Sequence, residues 1–341
     1  MKTALFASVA VIALAAFGTP AAFAQSRDTI QIAGSSTVLP FASIVAEEFS
    51  AAFPEFKTPV VGSGGTGGGL KQFCEGTGDN TIDIANASRQ IKEAELEACT
   101  TAGVTDVREV QFGFDGIVFA SAASGADFAL TPVQVYKAIA AKVYVDGALV
   151  DNPYKTWNEI DASLPAQPIS LAIPASNHGT REVFQEKVVT AGFKEAGHPE
   201  GLSEDEVKAL ETTFRQDVVI EISGDYTETL ARLNSDANTV GVFGLSFYEQ
   251  NTDTLKVATV NGIVPTKESV AAGEYPVSRP LFFYVKGQHI GVIPGIEEYV
   301  QFFLSEGISG NGGTLEAAGL IPQPADKTAE VLAAFEAGAA Q

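Results

Sequence analysis

The sequence predicts an α/β protein of two lobes, each an open, mixed or parallel sheet flanked by helices. Three observations lead there. Short β-branched runs alternate with amphipathic helical stretches, the rhythm of strand–loop–helix units in a largely parallel sheet. Loops rich in glycine and hydroxyl side chains follow strands in two widely separated regions. At 341 residues the chain exceeds one ordinary domain and suggests two.

The elements follow in order. Lys2, the apolar run Ala4–Phe17 and the small-x-small pattern Ala22-Phe23-Ala24 read as a secretory signal over residues 1–24. Thr29–Ala33 is a strand, leading through Gly34-Ser35-Ser36-Thr37 into a helix whose apolar face is Phe41, Ile44, Val45, Phe49, Ala52 and Phe53. Pro40 sits in its first turn, where a missing N–H costs nothing. Lys57–Val61 is the next strand, followed by the glycine run Gly62–Gly69 and a helix opening at Leu70. Thr81–Ala85 is a third strand and runs into Asn86-Ala87-Ser88-Arg89. A second region begins near Phe112 with the apolar strand Gly116–Ala120. Thr131-Pro132 then starts a helix through Ile139, threonine as N-cap and proline at N1. Pro168–Ile173 is a strand that enters Pro174 to Arg181 and a helix carrying Val183, Phe184 and Val188. Residues 217–222 and 239–243 complete this half. From Leu245 the chain returns to strand-like runs, notably Pro280–Val285, and ends in an alanine-rich helix from about Ala325. The expected division is therefore 25–112 plus 245–341 for the first lobe and 113–244 for the second.

Composition narrows the function. With 42 acidic residues against 21 basic ones the net charge is −21, which argues against nucleic acid and anionic membrane as partners. No run beyond the signal is long enough for a membrane helix. Cys74 and Cys99 are expected to pair as one disulfide in an exported protein. The histidines, His178, His198 and His289, are not spaced with cysteine for a metal. No Gly-x-Ser-x-Gly elbow or other nucleophile signature occurs. No cofactor is expected.

The chemistry concentrates in three junctions: Ser35-Ser36-Thr37, the glycine run with Thr66, and Asn177-His178-Gly179-Thr180. Each offers backbone N–H donors at a helix start and a hydroxyl that donates once more. Converging neutral donors suit a small tetrahedral anion, whose buried lone pairs each cost roughly 1–3 kcal/mol if left unpaired. Arg89 and Arg181 each follow such a loop and can add charge-assisted contacts; the bland reading for either is an ordinary ion pair. Asp115, before the strand Gly116–Ala120, is the candidate carboxylate facing the crevice.

Ala33–Thr37, Gly64–Gly69 with Lys71-Gln72, Asp83–Arg89, Lys155–Trp157, His178–Arg181 and Gly241–Leu245 together resemble the periplasmic phosphate-binding protein of phosphate ABC transporters. The resemblance implies the type 2 periplasmic binding protein fold, with two lobes joined by hinge strands and phosphate held between them. It implies phosphate-binding roles for Ser36, Thr37, Thr66, Gly179, Thr180 and Arg181, and Ser88, Arg89, Asp115 and His178 complete the expected ligand set. Two positions depart from the family pattern: His178 replaces a frequent serine, and Arg89 stands where an aspartate accepts the proton that phosphate keeps and sulfate lacks. Asp115 is the expected substitute for that acceptor. The implied role is a periplasmic, monomeric receptor that binds inorganic phosphate and delivers it to an ABC permease and its ATPase. Binding of sulfate or molybdate is the alternative, with a phosphatase or an adhesive protein further behind.

Overall fold

The computed structural model describes residues 27–176 and 179–338; the expected signal segment and His178 lie outside the described residues. The chain opens with β1 (Gln31–Gly34), β2 (Val60–Ser63) and β3 (Ile84–Ala87), and β1 pairs in parallel with both of the others. Then comes β4, a 16-residue strand from Val107 to Ala122. Beyond it lie β5 (Ala129–Leu130), the hairpin β6 (Lys142–Val145) and β7 (Ala148–Asp151), and β8 (Leu171–Pro174). The set closes with β9 (Val219–Ile222), β10 (Val240–Gly244), β11 (Leu255–Val257), β12 (Thr259–Val260) and β13 (Ser278–Lys286).

The main sheet runs β2-β1-β3-β13-β4-β10-β8-β9, with β11 also on β4. One half of β4, from Val107 to Gly116, pairs antiparallel with β13; the other, from Ile117 to Ala122, pairs antiparallel with β10 and β11. A single strand therefore belongs to both lobes. β13 pairs with β3 on its other edge and carries the chain back into the first lobe. The segment Leu320-Ile321 adds a further crossing, since Phe114 and Ile321 exchange both backbone hydrogen bonds.

Side-chain alternation explains why the first sheet is covered on both faces. Ile84, Phe283 and Val285 point into a core with Val45, Phe49, Val300 and Phe303 from the helices Leu39–Ala52 and Ile296–Phe303. Their neighbours Ala85, Phe282 and Tyr284 point the other way, onto Leu70, Phe73, Cys74 and Cys99. Cys74 and Cys99 form the expected disulfide, joining the end of the helix Gly65–Phe73 to the helix Glu93–Thr101. Closing a loop of that length stabilises by about 3 kcal/mol on the chain-entropy account.

Leu255, Ala258, Val260, Tyr275 and Val277 pack in the core of the second lobe with Val118, Trp157 and Phe184. That packing puts residues 255–277 with the second lobe, beyond the expected boundary at Leu245, and favours a return to the first lobe at Ser278. We propose 113–277 as the second lobe, with the described residues on either side as the first.

Element boundaries moved for identifiable reasons. The glycine run is no open loop: the helix begins at Gly65 rather than Leu70, because absent side chains let it lie against β1. A Cβ on Gly69 would stand 2.4 Å from the Gly34 Cα, and Gly34 itself holds φ +142 with Asn86 O where its Cβ would go. The third strand starts at Ile84, three residues later than its opening residues suggest. The Thr81 hydroxyl donates to the Gly76 and Gly78 carbonyls, which holds 76–81 as a turn. Asp83 is fully buried and accepts from Arg27 and the Gln31 amide while pairing with His289. The helix Pro132–Ile139 matches expectation, and Thr131 and Gln134 form a reciprocal capping box.

Candidate ligand-binding site in the crevice

In open α/β sheets, ligands sit beyond the carboxyl ends of parallel strands. Here β1, β2 and β3 end at Gly34, Ser63 and Ala87, so the three loops that follow lie side by side. β8 and β10 end at Pro174 and Gly244 on the other lobe. Between the two sets is a cavity of about 310 Å³, lined by Thr37 and Phe41 from the first lobe, Asp115 from the crossing strand, and Thr180, Tyr226 and Gly244 from the second.

The structure brings three of the expected residues to this cavity. Thr37 is buried at the mouth of the helix Leu39–Ala52. Thr180 lies in the first turn of a helix that starts at Gly179 and continues through a π-helical segment, Phe184–Thr190, to Glu195. Its Oγ1 is buried with no hydrogen-bond partner among the described residues, though it lies close enough to the Tyr226 phenol to act on it. Burial pushes that phenol up from its ordinary value, so it stays a neutral hydroxyl. Asp115 is 7% exposed, and its Oδ2 likewise lacks a hydrogen-bond partner. Burial pushes the Asp115 carboxyl upward, Arg279 opposes this, and Glu182 adds to it.

Thr66 and Ser88 meet each other instead. Their hydroxyls are 3.1 Å apart and the Ser88 amide donates to Thr66 Oγ1 at 3.1 Å, all buried at the end of β3. Ser36 is exposed. Gly179 supplies the first residue of its helix.

The two expected arginines face elsewhere. Arg89 forms a two-pronged ion pair with Glu95, at 2.9 and 2.8 Å, and donates to the Gln90 carbonyl. Their shared hydrogen bonds raise the guanidinium and lower the carboxylate. The pair is structural in effect, because Glu95 also accepts from the Lys92 amide at the start of the helix Glu93–Thr101. Arg181 donates to the Pro174 carbonyl at 2.8 Å and to Glu221 at 3.0 Å, lying over the Phe214 ring. Both take the bland reading as they stand.

The cation at the crevice is one that no loop motif announces: Arg279, at the start of β13 and 4% exposed. It is the direct cross-strand partner of Asp115, with Nε 3.9 Å from Asp115 Oδ2. Its Nη2 donates to Thr37 Oγ1 at 2.7 Å and to Glu182 Oε2 at 3.3 Å, and its Nη1 to Glu186 Oε2 at 3.0 Å. Thr37 in turn donates to Glu182 Oε2 at 2.7 Å. The sequence does hold one signal for it. An arginine opening an otherwise apolar strand must be buried with partners or not be buried at all.

Two hydroxyls from opposite lobes and a carboxyl line one cavity, with a buried guanidinium held against two of them, and together they make a site for a small polar anion that reaches both halves. That is the arrangement of a two-lobed binding protein. The chain belongs to the PBP superfamily, whose domain matches residues 19–307. Among its relatives, the protein SphX of Synechococcus elongatus is 31% identical over 331 residues, covering 95% of this chain and 86% of that one. The phosphate-binding protein PstS of Staphylococcus epidermidis is 28% identical over 298 residues, covering 85% and 78%. In three dimensions the chain is similar to a possible phosphate binding protein from Planctomyces limnophilus, with TM-score 0.69, 26% identity, and coverage of 92% and 99%.

Proposed function

We propose that the protein binds inorganic phosphate between its lobes and presents it to an ABC permease for uptake. The observation that carries this is the convergence of Thr37, Thr180 and Asp115 on one cavity beside the buried Arg279. Thr37 and Thr180 offer hydroxyl donors from opposite lobes, and the amides at the start of the Gly179 helix add more. Arg279 supplies the charge. Asp115 supplies what a sulfate site has no use for, an acceptor for the proton that phosphate carries near neutrality. The names of the PstS relative and of the Planctomyces structure support the ligand.

The mechanism is closure. A ligand that touches both lobes binds the closed state far better than the open one, so binding populates the closed state. The bends are placed where β4 and β13 pass between lobes, around Gly113–Gly116 and Ser278–Leu281. We read the chain as a receptor rather than an enzyme, acting outside the cytoplasm as a single chain, with Ser36, Thr66 and Ser88 shaping the first-lobe loops.

Calorimetric titration with phosphate, sulfate and molybdate tests the reading. Phosphate is expected to bind most tightly. Arg279→Ala and Thr180→Val are each expected to weaken it at least about tenfold, the worth of one charge-assisted hydrogen bond. No heat with phosphate, or full affinity in both variants, defeats it.

A further inference from the structure

Thr37 has one hydroxyl hydrogen to give. It gives that hydrogen to Glu182 Oε2 at 2.7 Å, while its oxygen receives Arg279 Nη2 at 2.7 Å. The same Glu182 oxygen also takes Nη2 at 3.3 Å. A carboxylate oxygen from the second lobe is thus seated on a hydroxyl of the first lobe and on the crevice cation. Those are the two donors a bound oxyanion needs most.

We propose that Glu182 is an internal anion that competes with phosphate: the ligand binds by displacing its carboxylate from Thr37 and Arg279. This rests on the phosphate-receptor reading above. The competition follows from counting donors. The Thr37 hydrogen cannot serve Glu182 and a phosphate oxygen together. Nor can a second full negative charge settle at this depth beside the first without raising the energy of both. Asp115 already occupies the Nε side of Arg279 at 3.9 Å, and Glu186 holds Nη1 at 3.0 Å. Nη2 is the guanidinium edge over which Glu182 and the ligand contend.

The geometry gives Glu182 a way out. It lies in the first turn of the helix beginning at Gly179, and its side chain is 44% exposed. A change of rotamer takes it from the crevice to solvent without moving the helix. Glu186, one turn further on, keeps its separate contact and holds Arg279 in place meanwhile. The same helix start that offers amides to the ligand therefore carries the group the ligand must expel. Two consequences follow. Ligand-free molecules that close do so on the Thr37–Glu182–Arg279 contacts, and affinity is held below what the remaining donors could provide. The apparent affinity is the intrinsic one multiplied by the fraction of molecules in which Glu182 is displaced.

The test is phosphate titration by calorimetry of the wild type, Glu182→Gln and Glu182→Ala, with the melting temperature of each protein free of ligand. Both variants are expected to bind phosphate about tenfold more tightly and to melt lower without ligand. If Glu182→Gln folds poorly, Glu182→Ala carries the comparison, and the reverse. In a Thr37→Val background, where the contested hydrogen is gone, the gain from Glu182→Gln is expected to shrink. Wild-type binding that is unchanged or weakened in the variants overturns the inference and leaves the receptor reading standing. A weakened affinity together with lost preference over sulfate would make Glu182 an acceptor for the ligand's proton instead, and also overturns it. If neither wild type nor variants take up phosphate, the receptor reading falls and this inference with it.

Discussion

Asp115 illustrates a cost accepted at a single position. Its carboxyl is buried, one oxygen has no hydrogen-bond partner, and its nearest opposite charge stands 3.9 Å away. Burial raises its pKa above the ordinary carboxylate value. A group whose folded value is raised is harmless below its unfolded value, near 4, and becomes a liability as pH climbs through the folded value. Asp115→Asn should therefore stabilise the ligand-free protein at pH 7 by about 1–3 kcal/mol, the scale of an unsatisfied buried acceptor. Near pH 2.5, well below the unfolded value and with aspartate almost wholly neutral in both states, the gain should vanish. Thermal unfolding at the two pH values measures it, and an equal shift at both would show that charge is not the cause. The same substitution should lower the preference for phosphate over sulfate, measured as a ratio of affinities. Residue chemistry read from sequence served well here: an aspartate before an apolar strand faces the cavity. It served poorly for Arg279, because what matters is the register that sets Arg279 opposite Asp115, and register between strands so far apart in sequence is invisible before the fold is known.

Among the elements, the helix Gly65–Phe73 shows why glycine was misread as loop. Glycine has low helix propensity, so a sequence reading places the helix start after the run. Packing overrides this where a side chain would strike backbone. A Cβ added to Gly69 would meet the Gly34 Cα at 2.4 Å, whereas nothing lies within 4 Å of a Cβ on Gly68. The two positions should then respond oppositely. Gly69→Ala should destabilise by about 1–3 kcal/mol through overpacking, and Gly68→Ala should stabilise by about 0.4–1 kcal/mol by restricting the unfolded chain. Denaturant unfolding of the pair checks both signs, and equal effects would refute the packing account. Elements with a local signature were legible: the Thr131-Pro132 start, the apolar run of β8 and the β-branched residues of β9 and β10. The hairpin β6–β7 and the first half of β4 were not. Val107, Val110 and Phe112 are buried there but are spaced three and then two residues apart, so no strict period of two announces the strand.

At the scale of the whole molecule, the two-lobe architecture was readable because it rests on a repeated strand–loop–helix rhythm. The point of return was not, because strands β11 and β12 look alike whichever sheet they join. If the lobes close on phosphate, the radius of gyration from X-ray scattering should fall on adding phosphate and stay unchanged with an equal concentration of chloride. A radius indifferent to phosphate at saturation would argue against hinge closure while leaving binding itself to the calorimeter.

The strand Val107–Ala122 has a final bearing, on how such a chain could be divided. Val107–Gly116 serves the sheet of one lobe and Ile117–Ala122 that of the other. A fragment that kept one lobe without its share of β4 would bare the edge of β13, or of β10 and β11, and leave a ladder of amides and carbonyls free to pair with any neighbouring chain. The modules that move in use are for this reason not modules that can be separated: what lets them swing is also what keeps each of them from clumping.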